Sequence, residues 1–140
     1  MIQLVDDRIL GSVLQGKAPP RRRADVYTTG CWYVRLCQAV LGSRGISGVL
    51  WSPFRSLEGP TRDRAIQALL ELPDGVGLVS LRELGPVIGQ LRARHELNIL
   101  GMEALAAAVH LEAIVYLSAP SPRLQHAFTQ ESRSSHLVSF

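Results

Sequence analysis

The sequence predicts an α/β domain: a three-layer α/β/α sandwich around a central parallel sheet of four or five strands. Three observations predict it. The apolar runs "IQLV" at 2–5, "VGLVSL" at 76–81 and "AIVYLS" at 113–118 have strand composition and are too short for helices. Segments of helical period separate them, and strands joined through helices pair in parallel with both faces covered. The chain has 140 residues and is 46% hydrophobic, which suits a single domain over 1–140 with a sizeable core.

Each element has its own reason. "IQLV" ends at Asp6-Asp7, and "RILGSVLQG" follows with Ile9, Leu10, Val13 and Leu14 at the spacing of a short amphipathic helix that stops at Gly16. "KAPPRRRAD", 17–25, reads as a basic, proline-bearing connection, and Thr28 or Thr29 as the cap of the next helix. That helix is "CWYVRLCQAVLG", with Trp32, Leu36 and Val40 buried and Gly42 and Gly45 at its end. Residues 46–60 are expected to form a loop with one turn of helix. "TRDRAIQALLELPDG" is a helix capped by Thr61 and closed by Pro73. "RELGPVIGQLRARH" has helical period through Leu84, Val87, Ile88 and Leu91, with Pro86 near its start, where proline is tolerated. "ILGMEALAAAVHLE" is the clearest helix, "SPRLQHAFTQ" a short one with Ser121 as cap and Pro122 in first position, and "HLVSF", 136–140, a last strand.

Right-handed crossovers place the carboxyl ends of parallel strands on one edge of the sheet. Asp6 and the stretch Ser118–Ser121 both follow strand ends there, and Glu103, early in its helix, can face the same edge. A strand that delivers an acid directly before a helix is a common site geometry in α/β folds.

Composition narrows the function classes. No apolar run approaches the roughly 20 residues that span a bilayer. "MIQLVDDRIL" has acids where a secretory signal carries bases, so the expected location is cytoplasmic and no membrane is involved. Cys31 and Cys37 lie on different helix faces without ligand-spaced neighbours, and read as reduced thiols. The net charge is +3, and Lys17 is the only lysine among fifteen basic residues. Arginine suits bidentate phosphate contacts, although a GC-rich coding bias gives the same excess. Arg21, Arg22, Arg23 and Arg35 are the candidate nucleic-acid contacts.

Every candidate has a plain structural reading beside the chemical one. Asp6 and Asp7 can ligate a metal or favour a helix dipole. Glu103 can ligate or sit as an ordinary first-turn glutamate. His110, on the Glu103 face, reads as a partly buried histidine rather than a general base; His95, His126 and His136 read as surface residues. Ser118 and Ser121 have no base placed to activate them. Arg35 is either an exposed helix residue or a cation paired with Asp6 or Glu103.

"LVDDRIL" and "GMEALAAAVHLEAIVYLSAPSPRLQHAF" resemble the two ends of PIN-like domains, over about half of the chain. The resemblance implies a ribonuclease that holds Mg²⁺ or Mn²⁺ through three or four carboxylates, with Asp6 and Glu103 as catalytic metal ligands and Asp7 as helper. The metal would generate a hydroxide and steady the charge at phosphorus. Two departures stand against the pattern. "CWYVRLCQAVL" carries Arg35 where an acid is expected, and Pro120 replaces the aspartate after the last catalytic strand. The expectation is therefore a degenerate PIN-like domain, catalytically weak or inactive, binding RNA or a protein partner, with Mg²⁺ or Mn²⁺ held weakly if at all. The alternatives are an active metal-dependent ribonuclease of toxin type that recruits Asp7, Glu58 or Asp63, and a structural homodimer.

Overall fold

The computed structural model describes residues 1–42 and 48–140; the glycine expected to end a helix at 45 lies outside them. In chain order the elements are β1 (Ile2–Val5), α1 (Asp7–Leu14), β2 (Asp25–Thr28), α2 (Gly30–Leu41), α3 (Ser52–Arg55), α4 (Gly59–Leu70), β3 (Val76–Leu78), α5 (Leu81–Leu91), α6 (Ile99–Leu111), β4 (Ile114–Leu117), α7 (Pro122–Gln130) and β5 (Ser135–Leu137). The five strands form one parallel sheet in the order β3-β2-β1-β4-β5. The chain winds outward from β1 to β3, then returns to the other side of β1 for β4. The reversal leaves a crevice at the carboxyl ends of β1 and β4, where open α/β sheets place their ligands.

Successive strand residues face opposite layers, and β1 shows it directly. Leu4 enters a core with Leu84, Leu105, Val115 and Phe128, built by α5, α6 and α7. Val5 enters a second core with Leu10, Leu36, Phe54 and Leu69, built by α1, α2, α3 and α4. The α/β/α sandwich follows from this division. Helix α6 is apolar nearly all round, and Ala104, Ala106, Ala107 and Ala108 are fully buried, because the helix is wedged between the sheet, α2, α5 and α7.

Several sequence expectations change. β2 is a strand where a connection and a cap were expected: Asp25–Thr28 pairs with β1 from Ile2↔Asp25 onward, and only Thr29 remains as the cap of α2, accepting the Trp32 N–H at 3.2 Å. Its Tyr27 ring lies over Gly77 of β3, where any Cβ would collide with it. The cap of α4 is Glu58, not Thr61, because Pro60 already fits the first helical turn. Pro86 lies inside α5 rather than near its start, since the helix begins at Leu81, one residue earlier than expected, with the Ser80 hydroxyl capping it by accepting from Arg82 N. Ser121 precedes α7, but its side chain makes no cap bond. Two histidines exchange roles. His110 is exposed, whereas His95 is buried, with Nε2 2.6 Å from Glu131 Oε2. The Arg94 fork also donates to Glu131 at 2.8 and 2.9 Å, and these two partners hold that carboxyl down to about 2.

Gln3 is a polar residue on the central strand and fully buried. Its Nε2 donates to the carbonyls of Arg21 at 2.6 Å and Ala24 at 2.9 Å, and its Oε1 accepts from Arg21 N at 3.0 Å. The basic connection between α1 and β2 is thereby fixed to the amino edge of the sheet. No helix among the described residues is long and apolar enough to cross a membrane.

Candidate functional site

The crevice between β1 and β4 opens into a cleft of about 350 Å³ lined by Asp6, Asp7, Arg35, Ser118 and Pro120, among others. Asp6 is its floor. It follows β1 directly in extended conformation, and its Oδ1 accepts the Ile9 N–H at 3.1 Å, capping α1. Its Oδ2 accepts both the Ser118 N–H at 2.6 Å and the Ser118 hydroxyl at 2.7 Å. One carboxylate thus ties the end of β1 to the end of β4 across the switch point. The Ser118 hydroxyl, considered as a nucleophile, instead donates to Asp6.

Asp7 begins α1. Its Oδ1 accepts from Arg8 N at 2.8 Å, while Oδ2 is enclosed and has no hydrogen-bond partner among the described residues. Among the described residues its ion-pair partner is Arg35, whose Nε is 3.5 Å from Oδ2 and whose side chain is 55% exposed. Arg35 therefore pairs with Asp7 and not with Asp6 or Glu103: α2 packs on α1 and sets the guanidinium at the first turn of that helix. Burial, then the neighbouring Asp6 charge, push the Asp7 carboxyl above its ordinary value of 3.8, with Arg35 pulling the other way.

The folded chain holds the Asp7 proton more tightly than the unfolded chain does. Its contribution to stability therefore falls as pH rises from the ordinary carboxylate value through the raised one. Asp7→Asn is expected to raise the melting temperature at neutral pH by about 3 °C, for roughly 1 kcal/mol of relieved charge burial. The exposed Arg35 pair that is lost is worth about 0–1 kcal/mol. The gain should vanish below the ordinary carboxylate value, and thermal melts across pH read it directly.

Glu103 is fully buried. It reaches the amino end of α2, where Cys31 N donates to Oε1 at 2.7 Å and Gly30 N to Oε2 at 3.3 Å. Gly30 makes room, since a Cβ there would stand 3.1 Å from Oε2. Burial and Glu103 raise the Cys31 thiol to about 11, so it stays protonated. Glu103 lines a separate apolar groove with Val34, Leu81 and Leu100, adjoining the cleft at Arg35. The structure thus gathers Asp6, Asp7 and Arg35 and sets Glu103 one helix end away.

Other predicted site residues lie apart. Arg21, Arg22 and Arg23 are exposed at the amino edge beside Gln3, so they do not share a surface with Arg35 at the carboxyl edge. The α1–β2 connection must lead into the start of β2, which a parallel sheet puts opposite the cleft. Glu58 and Asp63 are exposed around the start of α4 and do not line the cleft. Sequence reasoning missed the Ser118–Asp6 tie and the enclosed Asp7 oxygen. A serine directly after a strand was the only available sign of the first, and the second had none.

As a divalent metal site the donor set fits poorly. Asp6 spends both oxygens on three protein donors, and Glu103 spends both on α2. The remaining oxygen, Asp7 Oδ2, has a guanidinium beside it. Hard cations need several oxygen ligands, and a fixed positive charge opposes them. No group of three or more histidine, cysteine or acidic side chains among the described residues could hold a metal ion. No protein-family model matches the chain, and no curated protein matches it in sequence.

Proposed function

We propose that the chain is a degenerate PIN-like domain, catalytically weak or inactive, that binds RNA at the carboxyl-edge cleft. One observation carries the reading: the oxygens of Asp6 accept three protein hydrogen bonds, so the residue expected to hold a metal works as a structural tie. Those three donors take up most of the acceptor sites of the carboxylate and leave little for a cation. Arg35 and Arg8 on the cleft, and Arg123 beside Arg35 in the adjoining hollow, supply positive charge at that edge. Guanidinium groups suit phosphate, and the net charge of +3 favours a polyanion. A second reading, docking of a protein partner or a second copy, draws on the apolar groove of Val34, Leu81 and Leu100.

The test is a pair of measurements on the wild-type chain and Asp6→Asn. Millimolar Mn²⁺ is expected to leave the melting temperature of both within about 1 °C, because a ligand stabilises only in proportion to its binding. Affinity for a short single-stranded RNA is expected to fall steeply with salt, with a slope near −0.7 per phosphate engaged. A Mn²⁺-dependent rise in the wild type alone, together with cleavage of the RNA, would replace this reading with an active ribonuclease. Absence of RNA binding with a concentration-dependent dimer would replace it with the docking reading.

A further inference from the structure

Resting on the RNA-binding reading, we propose that Asp7 selects the base: the cleft takes one unpaired nucleotide whose exocyclic amino group donates to Asp7 Oδ2, while Arg35 turns outward to its phosphate. Asp7 lines the cleft, its side chain is only 10% exposed, and Oδ2 lacks a hydrogen-bond donor among the described residues. The other carboxylate oxygens of the cleft are already engaged, Asp7 Oδ1 by Arg8 N and both oxygens of Asp6 by Ile9 and Ser118. Among the described residues Asp7 Oδ2 is thus the cleft carboxylate oxygen left without a donor, and a buried acceptor without a donor is costly. Arg35 supplies charge without a hydrogen bond, since 3.5 Å is beyond good N–H···O geometry.

Arg35 is also the group free to leave. Its side chain is more than half exposed, and no other hydrogen bond holds its guanidinium among the described residues. A planar fork of this kind exchanges one carboxylate oxygen for a bidentate phosphate readily. Its departure would take the cation from beside Oδ2 and leave that oxygen to a new donor. On the RNA-binding reading, a nucleotide offers both an anion to Arg35 and an N–H to Asp7 within one small unit. Leu50, Leu100, Pro120 and Leu124 give the cleft apolar wall that suits the faces of a planar ring. A volume of about 350 Å³ is near the lower end of ligand clefts and admits one base.

The chemistry sets a preference. Cytosine and adenine present an amino group where uracil presents a carbonyl oxygen. In the same pose uracil would set that oxygen against Oδ2 with no proton between them, so the pose is disfavoured by repulsion as well as by a missing bond.

The experiment measures fluorescence anisotropy of short labelled oligoribonucleotides of cytidine, adenosine or uridine, at fixed salt, against the wild-type chain and Asp7→Asn. The wild type is expected to bind the cytidine and adenosine oligomers about tenfold more tightly than the uridine oligomer. Asp7→Asn, whose amide both donates and accepts, is expected to bring the three within about twofold of one another while keeping the same dependence on salt. Equal wild-type affinity for all three would overturn base selection by Asp7 and leave RNA binding standing. Failure of the wild type to bind any of them would overturn both. A tenfold preference that survives in Asp7→Asn would assign selection to another residue and also overturn the proposal.

Discussion

Glu103→Ala is expected to destabilise the fold by about 2–4 kcal/mol, lowering the melting temperature by roughly 6–12 °C. The side chain is fully buried, and its carboxylate accepts the first two N–H groups of α2, from Gly30 and Cys31. Those donors have no intrahelical partner, and Thr29 already serves the third, on Trp32. Truncation leaves two partly buried N–H groups without their acceptor, opens a cavity between α6 and α2, and removes a negative charge from a helix start. Glu103→Gln keeps the shape and one acceptor, and should lose about half as much. The sign distinguishes this role from a metal ligand. Carboxylates gathered for an absent cation repel one another, so neutralising one stabilises the metal-free protein. A melting temperature unchanged or raised in Glu103→Ala would defeat the capping role.

Asp6→Ala is expected to cost a similar amount, about 2–4 kcal/mol, for a different reason. One part is the cap of α1, worth about 1 kcal/mol. The other is the junction between β1 and β4, where Ser118 N and its hydroxyl both lose their acceptor. Ser118→Ala removes only the hydroxyl bond and should cost about 1 kcal/mol. The double variant should be less destabilised than the two single changes together, by about 0.5–2 kcal/mol, because the residues act as a pair. Urea unfolding of the four proteins gives the coupling. Strict additivity would show that the Ser118 hydroxyl is not coupled to Asp6.

The two central strands were legible because they are apolar, β-branched runs ended by turn residues, as in "IQLV" and "AIVYLS". β2 was not. Its four residues follow three arginines and begin with an aspartate, and only pairing with β1 and β3 makes a strand of them. Asp6 was readable as the end of a strand and the start of a helix, since both neighbours are local. Its second partner, Ser118, is 112 residues away, and the partners of Glu103 are 72 and 73 residues away. Local pattern reports which groups an acid can cap nearby and is blind to donors brought in by topology. The same blindness made His95 look superficial. Its burial comes from a carboxylate 36 residues on, at the end of α7.

Gln3 gives the segment 17–25 a property that its composition conceals. Three consecutive exposed arginines in a proline-bearing connection are what trypsin prefers to cut. A protease must draw out several residues into an extended strand of its own, and needs slack to do so. Here the Gln3 amide grips the main chain at Arg21 and again at Ala24, on either side of the scissile bonds. Digestion at these arginines therefore waits on opening of the connection away from β1, and its rate is a clock for that opening rather than for side-chain exposure.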